Sequence, residues 1–382
     1  MVKYGVNTIF HDFQPGLARG IRAESIINKI QIPTKQAFEF AGYMSADHKI
    51  SSLLTLKYGL RLSGFTNYNC DSVFFYNNQY QLTDIKDYSN RFYGSYWNLE
   101  PRFGLIYLLS ESSSIKAFYS RNTQYLQMAQ NSNAGTPLDI WFSSSNTVKP
   151  QISDQVGAGY FHNFFDNRIE TSVELFYKHM NNTIDFKDFA NLLLNSRMEG
   201  ELRFGKSYSY GAEFLLKINF EKVSGWLAYT YSQAKRKIDE VNFGREYLAP
   251  YDKPHDISVV LNYSATNRIT LGANWVFSTG VPVTFPAGKA IIAGTPIPIF
   301  TGRNEYRMPN YHRLDLSISI KNKPKPDRNW SSDLNISFYN LYNRKNAWAI
   351  NFVNDKENPG RIKAIMTYLF PIVPSISYNI TF

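Results

Sequence analysis

From Tyr208 to Phe220 the residues alternate by type. Tyr208, Tyr210, Ala212, Phe214, Leu216, Ile218 and Phe220 share one parity, and Ser209, Gly211, Glu213, Leu215, Lys217 and Asn219 share the other. Successive strand residues point to opposite faces, whereas a helix would scatter both sets around its circumference, so this segment reads as a strand. The same pattern runs through 54–63, 169–178, 256–264, 268–277 and 313–320. These runs are about 10–14 residues long, where strands of soluble proteins average about 5–6. A strand of that length with one apolar and one polar face fits a wall between lipid and water.

Composition narrows the class. Aromatic residues make up 16% of the chain and charged residues 19%, and no apolar run of about 20 residues occurs, which excludes a helical membrane protein. Short turns around 46–48, 111–113, 166–167, 221–222 and 266–267 alternate with long polar stretches near 10–34, 65–96, 127–150, 181–204, 238–251, 282–307 and 346–360. Short periplasmic turns and long extracellular loops are the outer-membrane arrangement, and a strand between each gives about 14. The expected fold is all-β: an antiparallel transmembrane β-barrel wall, with no helix beyond about three turns. No apolar core follows Lys3, and Tyr4, Val6, Thr8 and Phe10 already alternate with their neighbours. The expectation is a chain without a signal peptide that opens inside a strand.

Other function classes fit poorly. A net charge of +10 could suit nucleic acid, but the basic residues are dispersed, and the densest group, Lys321, Lys323, Lys325 and Arg328, is broken by Pro324 and Pro326. No nucleic-acid partner is expected. The single Cys70 excludes an internal disulfide. His11, His48, His162, His179, His255 and His312 show no two-ligand metal spacing, and no nucleophile motif occurs. His255 and Asp256 fall on opposite faces. No enzyme activity and no cofactor is expected.

The inward parity carries the charges. Lys57, Arg61, Arg102, Lys116, Glu174, Lys178, Glu213, Lys217, Arg268, Arg313 and Asp315 all fall on it, as a substrate path, a docking wall for a plug, or a wet, charge-balanced interior. Arg313 and Asp315 are spaced for an in-strand ion pair. Phe74, Phe75, Tyr76, Trp141, Phe142 and the stretch 282–298 place aromatic and apolar surface in loops. These could stack on a ligand or pack loops together.

The last strand, Ser375 to Phe382, resembles the terminal strand of outer-membrane proteins. The resemblance implies that Ile376, Tyr378, Ile380 and Phe382 are read by the barrel-assembly machinery. The chain as a whole resembles the barrel of TonB-dependent receptors. The matching segments are Pro101–Tyr107, Lys149-Pro150 through Ser153-Asp154-Gln155, Tyr210–Glu213, Pro254-His255-Asp256, Tyr311–Asp315 and Tyr339–Asn343. The family builds a 22-stranded barrel around an N-terminal plug that TonB pulls. The resemblance therefore implies that residues 1–382 are the C-terminal strands of such a barrel, without the plug, and that TonB would act only through that plug. Its other implied partners are outer-membrane lipid, lipopolysaccharide and a small nutrient: a metal chelate, vitamin, peptide or glycan. A self-contained 14-stranded passive channel and a structural or adhesive barrel piece are the rival expectations.

Overall fold

Fourteen strands follow one another in a meander, each hydrogen-bonded antiparallel to its neighbours in sequence. They are β1 Val2–Phe13, β2 Lys35–Lys49, β3 Leu54–Tyr76, β4 Leu82–Leu108, β5 Ser113–Gln124, β6 Gln151–Phe164 and β7 Ile169–Phe186. The path continues with β8 Leu202–Asn219, β9 Val223–Ile238, β10 His255–Ser264, β11 Ile269–Ser278, β12 Tyr311–Lys321, β13 Ser331–Tyr339 and β14 Val373–Thr381. This computed structural model describes the chain except residues 15, 21–28, 130–139, 193–194, 293–294, 324–329, 356 and 359–360. Lys325 and Arg328 of the basic group lie outside the described residues. The helical content described is two 3-10 turns, Met198–Glu201 and Val241–Gly244.

The faces are set by register. Residues opposite one another on paired strands share a face. Leu261 pairs with Ala273 and Ala273 with Leu316, while Asn274 pairs with Asp315 on the other side. The apolar parity thus forms one continuous outer surface and the polar parity one inner surface. On the inner side a row runs Gly104, Phe118, Gly157, Phe176, Gly211. Rings pack against the glycines: a Cβ at Gly157 would stand 2.5 Å from the Phe118 ring and one at Gly211 2.7 Å from that of Phe176. Such ring-over-glycine pairs lock register where a side chain would hold the strands apart.

Several stretches expected as loops are strands. The 65–96 stretch is the extension of β3 and β4 beyond the wall, joined through residues 77–81. Its register slips between Phe65 and Asn67, around Cys70, and between Phe75 and Tyr76. Beyond the bilayer both faces of a hairpin meet water, so alternation fades although the backbone still pairs. Smaller hairpins pair Leu126–Ala129 with Ile140–Ser143, Gly288–Ile292 with Thr295–Ile299, and Ala347–Asn354 with Ile362–Tyr368. Ala46, Asp47 and His48, expected in a turn, pair with Tyr58, Lys57 and Leu56 inside the sheet. The reversal falls at 50–53, where Ser51 Oγ accepts the backbone N–H groups of Leu53 and Leu54.

Candidate functional site

The inner face gathers most of the charges singled out from the sequence. Lys57 lies opposite Gly104, Arg61 opposite Glu100, and Arg102 opposite Gly59 and Ser120. Lys116 and Glu174 both face Gly159, and Glu174 faces Glu213. Lys178 pairs with Gln155, and Lys217 with Glu170. Arg268 lies at the edge of this set. It sits in the turn before β11, where its Nε donates to the Lys321 carbonyl at 2.9 Å. Its own carbonyl accepts the Lys321 backbone N–H at 2.8 Å, so its backbone still pairs with β12.

Two subsets have different surroundings. Glu100, 4% exposed, accepts the Ser63 hydroxyl at 2.6 Å and stands 3.7 Å from Arg61 and 3.9 Å from Arg102. Arg61 also reaches Glu39 at 3.8 Å, and His11 lies 3.7 Å from the same carboxylate. Beside them Gly59 and Gly104 leave a hollow of about 480 Å³ rimmed by Lys57, Arg61, Arg102, Tyr43 and Asp47. Arg313, in contrast, is fully engaged. It bonds Asp315 at 2.9 Å and the Tyr311 and Tyr339 hydroxyls at 3.0 and 2.7 Å, and it lies over the Tyr339 ring. Asp315 in turn accepts the Asn340 backbone N–H at 2.9 Å. That pair ties β12 to the end of β13.

The rim carrying the long hairpins is extracellular, since the short turns lie at the other end. Phe74, Phe75 and Tyr76 are strand residues there, opposite Ile85, Asp84 and Leu82. Phe75 lies beneath Lys86 and beside Tyr88. The Tyr76 ring packs on Gly200, and its hydroxyl donates to the Arg197 carbonyl at 3.3 Å. These two rings pack protein against protein. Trp141 is 56% exposed, and Phe142 pairs with Gln127 through the backbone. Among the aromatic candidates whose side chains are described, Trp141 offers the freest surface for stacking.

Burial, with Glu199 adding to it, pushes the Tyr76 hydroxyl up to about 12. A phenol raised in the folded state from about 10 contributes stability that is whole below pH 10. That contribution is lost as pH climbs toward 12. The contact between the β3–β4 hairpin and 197–201 should therefore hold to about pH 10 and loosen above it. Limited proteolysis across that range should show the loosening, and Tyr76→Phe should shift or abolish the step.

Two buried acids that sequence reading passed over organise the rest of the rim. Asp185 accepts from Arg303 at 2.6 Å, Tyr247 at 2.6 Å and Arg236 at 3.3 Å. Asp252, 1% exposed, holds Arg307 and accepts the Ala234 backbone N–H at 2.6 Å. These contacts span from 18 to 118 residues of sequence, so no local pattern marks them. Through Arg303 and Arg307 they tie the stretch before β12 to β7 and β9. A cavity of about 560 Å³ is lined by Asp256, Tyr311, Phe285, Trp348, Met308 and Lys253. Among the described residues no group of three or more His, Cys, Asp or Glu could hold a metal ion.

A family model described as TonB dependent receptor-like, beta-barrel, matches residues 8–341. No curated protein matches by sequence. Solved structures do match. The closed form of the ferric-catecholate import receptor Fiu from E. coli K12 aligns with a TM-score of 0.60 at 17% identity, over 99% of this chain and 51% of that one. The siderophore receptor PiuA from Acinetobacter baumannii aligns at 0.60 and 14% identity, over 93% and 44%. The ferripyoverdine receptor of Pseudomonas aeruginosa aligns at 0.56 and 14%, over 85% and 37%. The chain spans about half the length of the first of these receptors and less of the others.

Proposed function

We infer function from family: this chain belongs to the TonB-dependent receptor-like β-barrel family and is a protein of the Gram-negative outer membrane. Its sheet serves as wall in a receptor for energised uptake of a small anionic nutrient, a ferric chelate being the best fit. The carrying observation is the inner face. Across β3 to β5 it presents Lys57, Arg61, Arg102 and Lys116 beside a hollow cut by Gly59 and Gly104. Lys57 and Lys116 make no ion pair among the described residues, and Lys116 rests on the Phe161 ring 3.8 Å away. Two of the aligned structures are a ferric-catecholate import receptor and a ferripyoverdine receptor, which agrees with a cationic path.

In this reading the cavity lined by Trp348 and Phe285 admits the ligand, and the inner cations draw it along the wall. The same cations can alternatively seat acidic side chains of a plug. A free-standing passive channel is less well supported, because β1 pairs only with β2 and β14 only with β13 among the described residues. A membrane sheet with two open edges needs further strands.

The test is ligand binding to the chain refolded in detergent, followed by intrinsic fluorescence. Ferric catecholate and ferric citrate should bind more tightly than a neutral oligosaccharide of similar size. Lys57→Gln with Lys116→Gln should weaken the chelates about tenfold, as expected for losing a charge-assisted contact. Equal binding of charged and neutral ligands, insensitive to both substitutions, would remove the anionic reading. Conductance by single closed monomers would support the channel instead.

A further inference from the structure

At the extracellular ends of β10, β11 and β12, Asp256, Ser278 and Tyr311 are register partners in turn on the inner face. Asp256 is half-buried there. Among the described residues its carboxylate meets no hydrogen-bond donor and no cation. Three acids of the same rim are engaged: Asp252 holds Arg307, Asp315 holds Arg313 at 2.9 Å, and Asp185 holds Arg303 at 2.6 Å. Those guanidinium groups are thereby committed elsewhere. A carboxylate drawn from water without a donor is costly, so Asp256 calls for a cation from outside the wall.

The surroundings define that cation. Asp256 lines the cavity of about 560 Å³ together with Phe285, Tyr311, Trp348 and Lys253. Phe285 is held edge-on by Phe352 at 5.0 Å and stacks on Tyr306 at 6.0 Å, whereas Trp348 is 51% exposed. Aromatic rings beside a carboxylate suit an ammonium group, which the ring faces attract as well. A bare divalent metal ion fits poorly. It takes about six oxygen ligands, and no group of three or more His, Cys, Asp or Glu could hold one among the described residues.

Lys253 adds the opposite sign. It shares the cavity with Asp256, yet it forms no ion pair among the described residues. A free carboxylate and a free ammonium on one cavity wall are complementary to a group that carries both charges. We propose that this cavity binds a zwitterionic head group of the amino-acid type. Its ammonium lies on Asp256, its carboxylate on Lys253, and its apolar body against Trp348 and Phe285. A cavity of this size takes one ring with its head group. The proposal rests on the uptake reading and deepens it: the inner cations draw an anionic chelate, and this cavity selects among chelates by their head groups.

Two ferric tris-catecholates of equal net charge test it. One is made from dihydroxyphenylalanine, whose head group is a zwitterion, and the other from methylcatechol, which has no head group. Calorimetry gives the affinity of each for the 382-residue chain refolded in detergent. The first complex should bind about tenfold more tightly than the second. Asp256→Asn should remove that advantage and Lys253→Gln should lower it. Asp256→Asn should melt no lower than wild type, since it removes an unpaired charge; if it does not fold, Lys253→Gln takes its place. Lys57→Gln with Lys116→Gln should weaken both complexes alike, which tests the anionic path separately. Equal binding of the two complexes by wild type, or an advantage that survives Asp256→Asn, would overturn the head-group assignment even where the anionic path holds. An advantage that depends on Asp256, with both complexes indifferent to Lys57 and Lys116, would keep the assignment and remove the anionic path.

Discussion

Arginine at Leu316 is expected to destabilise the membrane-embedded chain by about 2–4 kcal/mol, and arginine at Ser317 by far less. Leu316 is the middle residue of β12, pairs with Ala273 and Phe338 on the outer face, and is 36% exposed. Lipid is the only solvent there, and a guanidinium near the bilayer midplane must be hydrated through a distortion of the membrane. Ser317 is one residue further along, exposed on the inner face opposite Gly272, so an arginine there extends into water. Depth matters as much as facing. Leu271 shares the outer face but is the third residue of β11, close to the short-turn end. Arginine at Leu271 should cost less than at Leu316. Urea unfolding of the three variants from lipid vesicles gives the comparison. Equal costs at Leu316 and Ser317 would show the assignment of faces to be wrong.

Removing the Asp185 carboxylate should be the most damaging single change at the extracellular rim. Asp185 is 6% exposed in its side chain and Arg236 16%, with Arg303 at 26%. Asp185→Ala takes the ion-pair partner of Arg236 and the acceptor of the Tyr247 hydroxyl, and leaves Arg303 only Asp188 at 3.8 Å. Breaking a buried ion pair from one side costs about 3–5 kcal/mol because the surviving charge stays desolvated. Burial, with the negative charge of Asp185 adding to it, holds the Tyr247 hydroxyl well above the usual phenol range, which ties the tyrosine to the same hub. The loss should be local: amides around 301–309 should exchange faster, while the sheet keeps its protection. Arg303→Met alone should be milder, since Asp185 keeps Arg236 and Tyr247. A variant Asp185→Ala whose 301–309 amides exchange as in wild type would show that the hub does not hold this stretch.

Strand parity was legible from residue order because lipid and water impose their demand on every second side chain, one residue at a time. That local rule placed Leu261 and Leu316 outside and Asp315 inside, and it identified fourteen wall strands and the resemblance they carry. It ended at the membrane boundary. Above that boundary both faces of a hairpin are wet, and Phe74 to Tyr76 read as loop although they pair across to Leu82 to Ile85. What only the folded chain decided were the pairings between distant segments. Arg303 finds Asp185 across 118 residues of sequence, and Lys206 faces Lys237 rather than an acid because register put it there. Alternation tells a side chain which phase it must enter. Which partner waits there depends on how far neighbouring strands slide past one another, and that is fixed by the packing of the whole sheet.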